Sequence, residues 1–169
     1  MKPGMLAPQD LLYHPAHGLC RVDRVTVQER SGKKVTCYSL VPRIATKMKV
    51  RFVIAEPDLE VSGFHRVISV TEARKILAYL RAGDSSAAQT DQTWALARNI
   101  LSFTKDKLNP RDQRKRQLME HSVRGLVGEF SCVLEISLKE AVRKIEQSLG
   151  SNTTIHPLLH ASLSRAIEN

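Results

Sequence analysis

From residue 10 to residue 54, apolar and polar side chains alternate in short β-rich runs over 10–14, 19–28, 34–41 and 49–54. A period of two with many β-branched residues predicts strands. The segment Glu29-Arg30-Ser31-Gly32-Lys33 separates the second and third runs, and its glycine can take the positive φ of a tight hairpin. Pro15 and Gly18 break the first pair, while Pro42 followed by residues 43–47 makes a looser connection. Four or five short strands in so little chain predict a small, strongly bent sheet or a partly open barrel.

After Gly63 the period lengthens. Ser69 and Glu72 stand three apart as in a capping box, and Val70, Ala73, Ile76, Leu77 and Leu80 recur at helical spacing before Gly83, which predicts a helix over 70–82. Residues 83–92 are small, polar and aperiodic, as in a linker. A short helix over 94–103 then carries Trp94, Ala97, Ile100 and Leu101 on one side. Asn109 before Pro110 is a strong start signal, and Met119, Val123, Leu126, Val127 and Phe130 continue a 3.6-residue period to about residue 134. Ser137 with Glu140 forms a second capping box ahead of Leu138, Val142, Ile145 and Leu149, with Gly150 closing that helix, and a last amphipathic helix is expected over 156–167. The chain is therefore α+β, with a β part over 1–68 and a helical part over 69–169.

The 169 residues suit one or two small domains, because a domain usually takes roughly 100 to 200 residues. Hydrophobic residues at 42% and charged residues at 25% allow a packed core and exclude a largely disordered chain. No apolar run approaches the roughly 20 residues that span a bilayer, and the opening MKPGMLAPQD lacks the apolar stretch of a secretory signal. A cytoplasmic protein without a membrane partner is expected. Lys and Arg number 26 against 17 Asp and Glu, giving a net charge of +9, so a polyanion is the favoured partner. Residues 105–116 hold six basic side chains against two acidic ones. Their cations crowd the positive end of a helix dipole, a cost of a few tenths of a kcal/mol that a bound phosphate would relieve.

Catalytic patterns are scarce. The chain contains no GxGxxG, GKS, GKT, HExxH or GxSxG, and an enzyme is not expected. Cys20, Cys37 and Cys132 are odd in number and lack CxxC spacing, which suggests small buried hydrophobes rather than disulfides or zinc. His156 and His160 stand four apart with no third ligand nearby in sequence, so a structural role is favoured over a metal site. Asp10, His17 and Cys20 could be read as a nucleophile with its helpers, yet turn chemistry around Pro15 and Gly18 explains them more simply. No cofactor is expected.

The opening Asp10-Leu-Leu-Tyr-His-Pro-Ala-His-Gly18 resembles the Gly-Asp-x-Val-Val-Tyr-Pro-x-His-Gly start of the CarD family of bacterial transcription regulators. Asp10, Pro15, His17 and Gly18 match in register. Gly32, Tyr38, Val50-Arg51 and Glu60-Val-Ser-Gly-Phe-His-Arg66 follow in the family's order, and the later Leu108-Asn-Pro-Arg-Asp and Leu126-Val-Gly-Glu-Phe resemble its Leu-Ser-x-x-Glu start and Leu-Val-Gly-Glu-Leu helix. The resemblance implies a Tudor-like first domain that binds the β subunit of RNA polymerase and a helical second domain that contacts promoter DNA. It places polymerase contact on Arg51 with Val50 and Phe52, where an exposed strand edge could extend the partner's sheet. Together with the basic run, it places weak, mainly phosphate DNA contact on Lys105, Lys107, Arg111, Arg114, Lys115 and Arg116. A monomer is expected.

Several positions depart from the family. Its opening Gly is Gln9, its motif Tyr is His14, its small pair is Leu19-Cys20, and a second polymerase-contacting position falls on Gln28. Family members also carry a longer stretch between their tryptophan and the Leu-Ser-x-x-Glu start. Trp94 is the only tryptophan, and it is either the family's apolar minor-groove wedge or part of the helical core. An interaction adaptor that has lost DNA contact is the second functional reading.

Overall fold

The computed structural model describes residues 4–44, 49–83, 91–105, 109–150 and 154–168. In the first unit, Met1–Val67, the strands are β1 (Leu11–His14), β2 (Gly18–Arg30), β3 (Lys33–Pro42), β4 (Phe52–Ala55) and β5 (His65–Arg66). All neighbouring pairs are antiparallel and the order is β4-β3-β2-β1-β5. Among the described residues the sheet does not close: β4 and β5 lie at opposite margins, as a bent sheet or a partly open barrel allows.

Arg30 pairs with Lys33, which leaves only Ser31 and Gly32 in the hairpin turn. Both have positive φ, 51° and 76°, the conformation whose twist matches that of the flanking strands. The five-residue connection expected from sequence is thus a two-residue turn on longer strands. Leu12, Cys20, Val22, Tyr38 and Leu40 line one face of the sheet and pack with Leu6, Leu59 and Phe64, while Val25, Phe52 and Ile54 close around them. Val22 and Val25 are an odd number apart, yet both reach this core. The register shift between Val22 and Arg24 makes this possible, because an extra residue in one strand reverses the alternation beyond it.

The fourth strand begins later than its sequence pattern predicts. Lys49, Val50 and Arg51 lie outside the ladder, and pairing with β3 begins at Phe52 opposite Leu40. A 3-10 turn at Glu56–Asp58 and the two-residue β5 are additional elements. Pairing with β1 creates β5, a contact across some fifty residues that no local pattern announces.

The second unit, Ile68–Asn169, contains α1 (Val70–Ala82), α2 (Gln92–Lys105), α3 (Gln113–Leu134), α4 (Leu138–Leu149) and α5 (Pro157–Arg165). Ser69 and Ser137 accept from the backbone N–H of Glu72 and Glu140, the caps expected of both boxes. Gly83 closes α1 at φ 66°, whereas Gly150 ends α4 in a right-handed conformation. Of the expected linker, residues 84–90 lie outside the described residues.

Helix α3 starts later than expected. The Asn109 side chain accepts from Arg111 N–H and its carbonyl from Asp112 N–H, forming a turn, and Asp112 then caps the helix through Lys115 N–H. A carboxylate at that end also complements the helix dipole. Met119, Val123, Leu126, Val127 and Phe130 of α3 are buried among side chains of the other four helices. Glu129 is fully buried with them, accepting from Thr93 Oγ1 at 2.8 Å and from Ile68 N–H at 3.2 Å.

Candidate functional site

The margin of the sheet formed by β4 carries the first candidate surface. Phe52 and Ile54 turn toward the core, so the alternation sends Val53 outward, where it is 54% exposed. Val50, just before the strand, is also exposed. Arg51 extends over the sheet: its Nη1 lies 3.1 Å from Asp23 Oδ2 on β2 and donates to Ser39 Oγ on β3 at 3.2 Å. The guanidinium is held at two points yet remains half exposed, so its remaining donors can meet a partner. Among the described residues, β4 pairs on one side only, with β3. Of the three residues singled out by sequence, Val50 and Arg51 therefore face outward. Phe52 instead packs against Phe64 and His17, with ring centroids 5.4 and 4.6 Å apart. Val53 belongs to the exposed surface and could have been found from the inward alternation of its neighbours.

The motif residues before β2 hold this end of the sheet together. His17 stacks on His14 at 4.5 Å, and His14 lies 4.7 Å from Phe64. His14 Nδ1 accepts from Ala16 N–H, so its neutral ring carries the proton on Nε2, which donates to the Ser62 carbonyl at 3.2 Å. Gly18 turns the chain at φ 70°. Asp10 pairs with Arg66 at 3.4 Å and accepts from Ala7 N–H. Burial pushes the Cys20 thiol up to about 11, so it is protonated at neutral pH and a poor nucleophile. Asp10, His17 and Cys20 thus have separate structural partners. Cys132, expected to be buried, is exposed, while Cys20 and Cys37 are buried.

The second candidate surface is the start of α3. Arg111, Arg114, Lys115 and Arg116 are all exposed, and the first turn of the helix carries no acidic side chain. Arg116 reaches back to the Pro110 carbonyl at 3.3 Å. Lys105, at the end of α2, is exposed and donates to the Gly83 carbonyl at 2.8 Å, so it serves the end of α1. Lys107 lies outside the described residues. The structure resolves the two alternatives for Trp94 in favour of the core. It is 4% exposed, packs edge-on against Tyr79 at 5.4 Å, and donates its indole N–H to Glu72 Oε2 at 3.2 Å. A ring fixed in this way has no apolar edge to insert between bases.

Hydrogen bonds, first from Lys75 and then from Trp94, hold the Glu72 carboxyl below the usual glutamate range. His156 caps α5 by accepting from Leu158 N–H, and His160 Nε2 lies 3.5 Å from Glu146 Oε1, so the two imidazoles have different neighbours. Among the described residues no three His, Cys, Asp or Glu side chains gather as a metal site would require. No described helix is long and apolar enough to cross a membrane. Comparison with models of known protein families and with curated proteins found no match.

Proposed function

We propose that this chain is a CarD-like regulator of transcription, with a Tudor-like first domain that binds the β subunit of RNA polymerase and a helical second domain that touches promoter DNA. The observation that carries the reading is the β4 margin, a short strand paired on one side, with Val50 and Val53 exposed and Arg51 braced beside it. A partner strand added there gains main-chain hydrogen bonds, while Arg51 supplies charge-assisted selection of an acidic group. The ordered motif from Asp10 to Arg66 gives this surface its specific partner. Promoter contact falls to Arg111, Arg114, Lys115 and Arg116, whose cations meet phosphates without reading sequence.

The burial of Trp94 removes the apolar wedge and leaves the proposed DNA contact to the cations alone; the adaptor reading applies if those contacts are lost as well. The test is capture of the polymerase β subunit by the full chain and by Arg51→Glu. The wild type retains the subunit and the variant loses it. Equal retention by both, in variants with unchanged melting curves, rejects the proposed docking surface.

A further inference from the structure

A cleft of about 370 Å³ opens in the first unit and is lined by Gln9, Leu11, Arg21, Val41, Pro42 and Arg43. The strand register builds it. Leu11 pairs with Arg21, and Arg21 with Val41, so one row across β1, β2 and β3 carries an arginine between two apolar side chains. Arg43 N–H donates to the Leu19 carbonyl at 2.9 Å and holds the chain after β3 against β2. Gln9 completes the rim from a backbone at φ 80°. The Ala7–Asp10 turn closes through Asp10 N–H to the Ala7 carbonyl, with Pro8 and Gln9 at its centre, and glycine is the usual residue at that second central position. A side chain kept where glycine is easier brings an amide to the cleft.

Charge separates this cleft from the one in the helical unit. Nearby carboxylates are committed elsewhere: Asp23, two residues from Arg21, pairs with Arg51, and Asp10, next to Gln9, pairs with Arg66. Arg21 and Arg43 have no carboxylate partner among the described residues. A second cleft in the helical unit, about 280 Å³ in volume, places Glu120 and Glu168 beside Arg124 and Arg165, with Arg165 already 3.0 Å from Glu120. Among the described residues the cleft on the sheet has no carboxylate in its lining. We infer that it binds the phosphate of a nucleotide between Arg21 and Arg43, with the sugar and base over Leu11, Val41 and Pro42. A nucleotide's terminal phosphate, a dianion, matches two guanidinium forks in charge, and a strand's phosphodiester, a monoanion, offers them the same kind of acceptor oxygens, while the apolar floor favours an ester with a flat body over inorganic phosphate. The phosphate can come from a free nucleotide or from a nucleic-acid strand.

The inference does not depend on polymerase binding, and its test uses the full chain alone. ADP, a short single-stranded DNA and inorganic phosphate are titrated while backbone amide NMR shifts are followed. The expected result is that ADP or the strand shifts residues 9–11, 21 and 41–43, binds more tightly than inorganic phosphate, and loses at least tenfold in affinity in Arg21→Ala/Arg43→Ala. Both arginines are exposed, so the variant should retain the wild-type melting curve. Tighter binding of ADP identifies a free nucleotide, and tighter binding of the strand identifies nucleic acid; either supports the site. Alanine at Arg111, Arg114, Lys115 and Arg116 should leave the shifts at the cleft unchanged, which separates this site from the proposed promoter contact. The inference is overturned by the absence of shifts with any probe, by equal binding in the double variant, or by displacement of the nucleotide by an acidic peptide of equal charge.

Discussion

Gly63 sits at φ 84°, where a Cβ would approach within 2.7 Å of His14 Nε2. The imidazole cannot easily retreat, because Ala16 N–H and the Ser62 carbonyl hold its two nitrogens and His17 and Phe64 flank its ring. Gly63→Ala therefore combines a left-handed backbone with a clash, and a loss of about 2 kcal/mol is expected in chemical denaturation; an unchanged midpoint would contradict this packing. Glu72 links α1 to α2 through Trp94. Its carboxyl is held below the ordinary value, so the ion favours the folded state at pH values above the unfolded pKa, and this contribution disappears as pH falls through the folded one. Glu72→Gln should accordingly be less stable than wild type at pH 7, with the difference shrinking toward pH 3 in paired denaturation curves. A constant difference would show that the charge plays no part. At this scale the sequence is partly legible. Ser69 and Ser137 announce their caps, but the partners of His14 and Trp94 lie 48 and 22 residues away and leave no local mark.

Local signals locate the elements better than their ends. The helical period places α1, α3 and α4 because packing selects the same apolar positions that create the pattern. The start of α3 is misread because Asn109-Pro110 and Asp112 carry similar capping chemistry, and only the hydrogen bonds distinguish turn from helix. The bulge after Val22 is likewise invisible in a strict alternation, and the two residues of β5 become a strand only through β1. The exposed cations at the start of α3 make a prediction at this scale. Replacing Arg111, Arg114, Lys115 and Arg116 by alanine should make the negative slope of log affinity for duplex DNA against log salt shallower by roughly 0.9 per lost contact. Anisotropy titrations at several salt concentrations measure it, and an unchanged slope would place the phosphate contacts elsewhere.

A chain with two units can hold a complex through two modest contacts, since a molecule tethered at one site meets the second at high effective concentration. The open β4 margin and the basic start of α3 lie on different units, which suits that arrangement. The α+β division was legible in the change of hydrophobic period after Gly63. The braced position of Arg51 was not, because Asp23 reaches it through a bulge and Ser39 through strand pairing. The most direct test of the account is the affinity of the full chain for a promoter fragment, measured with and without RNA polymerase under the same salt conditions. Weak, sequence-independent binding alone that tightens at least tenfold with polymerase is the predicted result. Tight, sequence-specific binding by the chain alone, or no gain from polymerase, would contradict it.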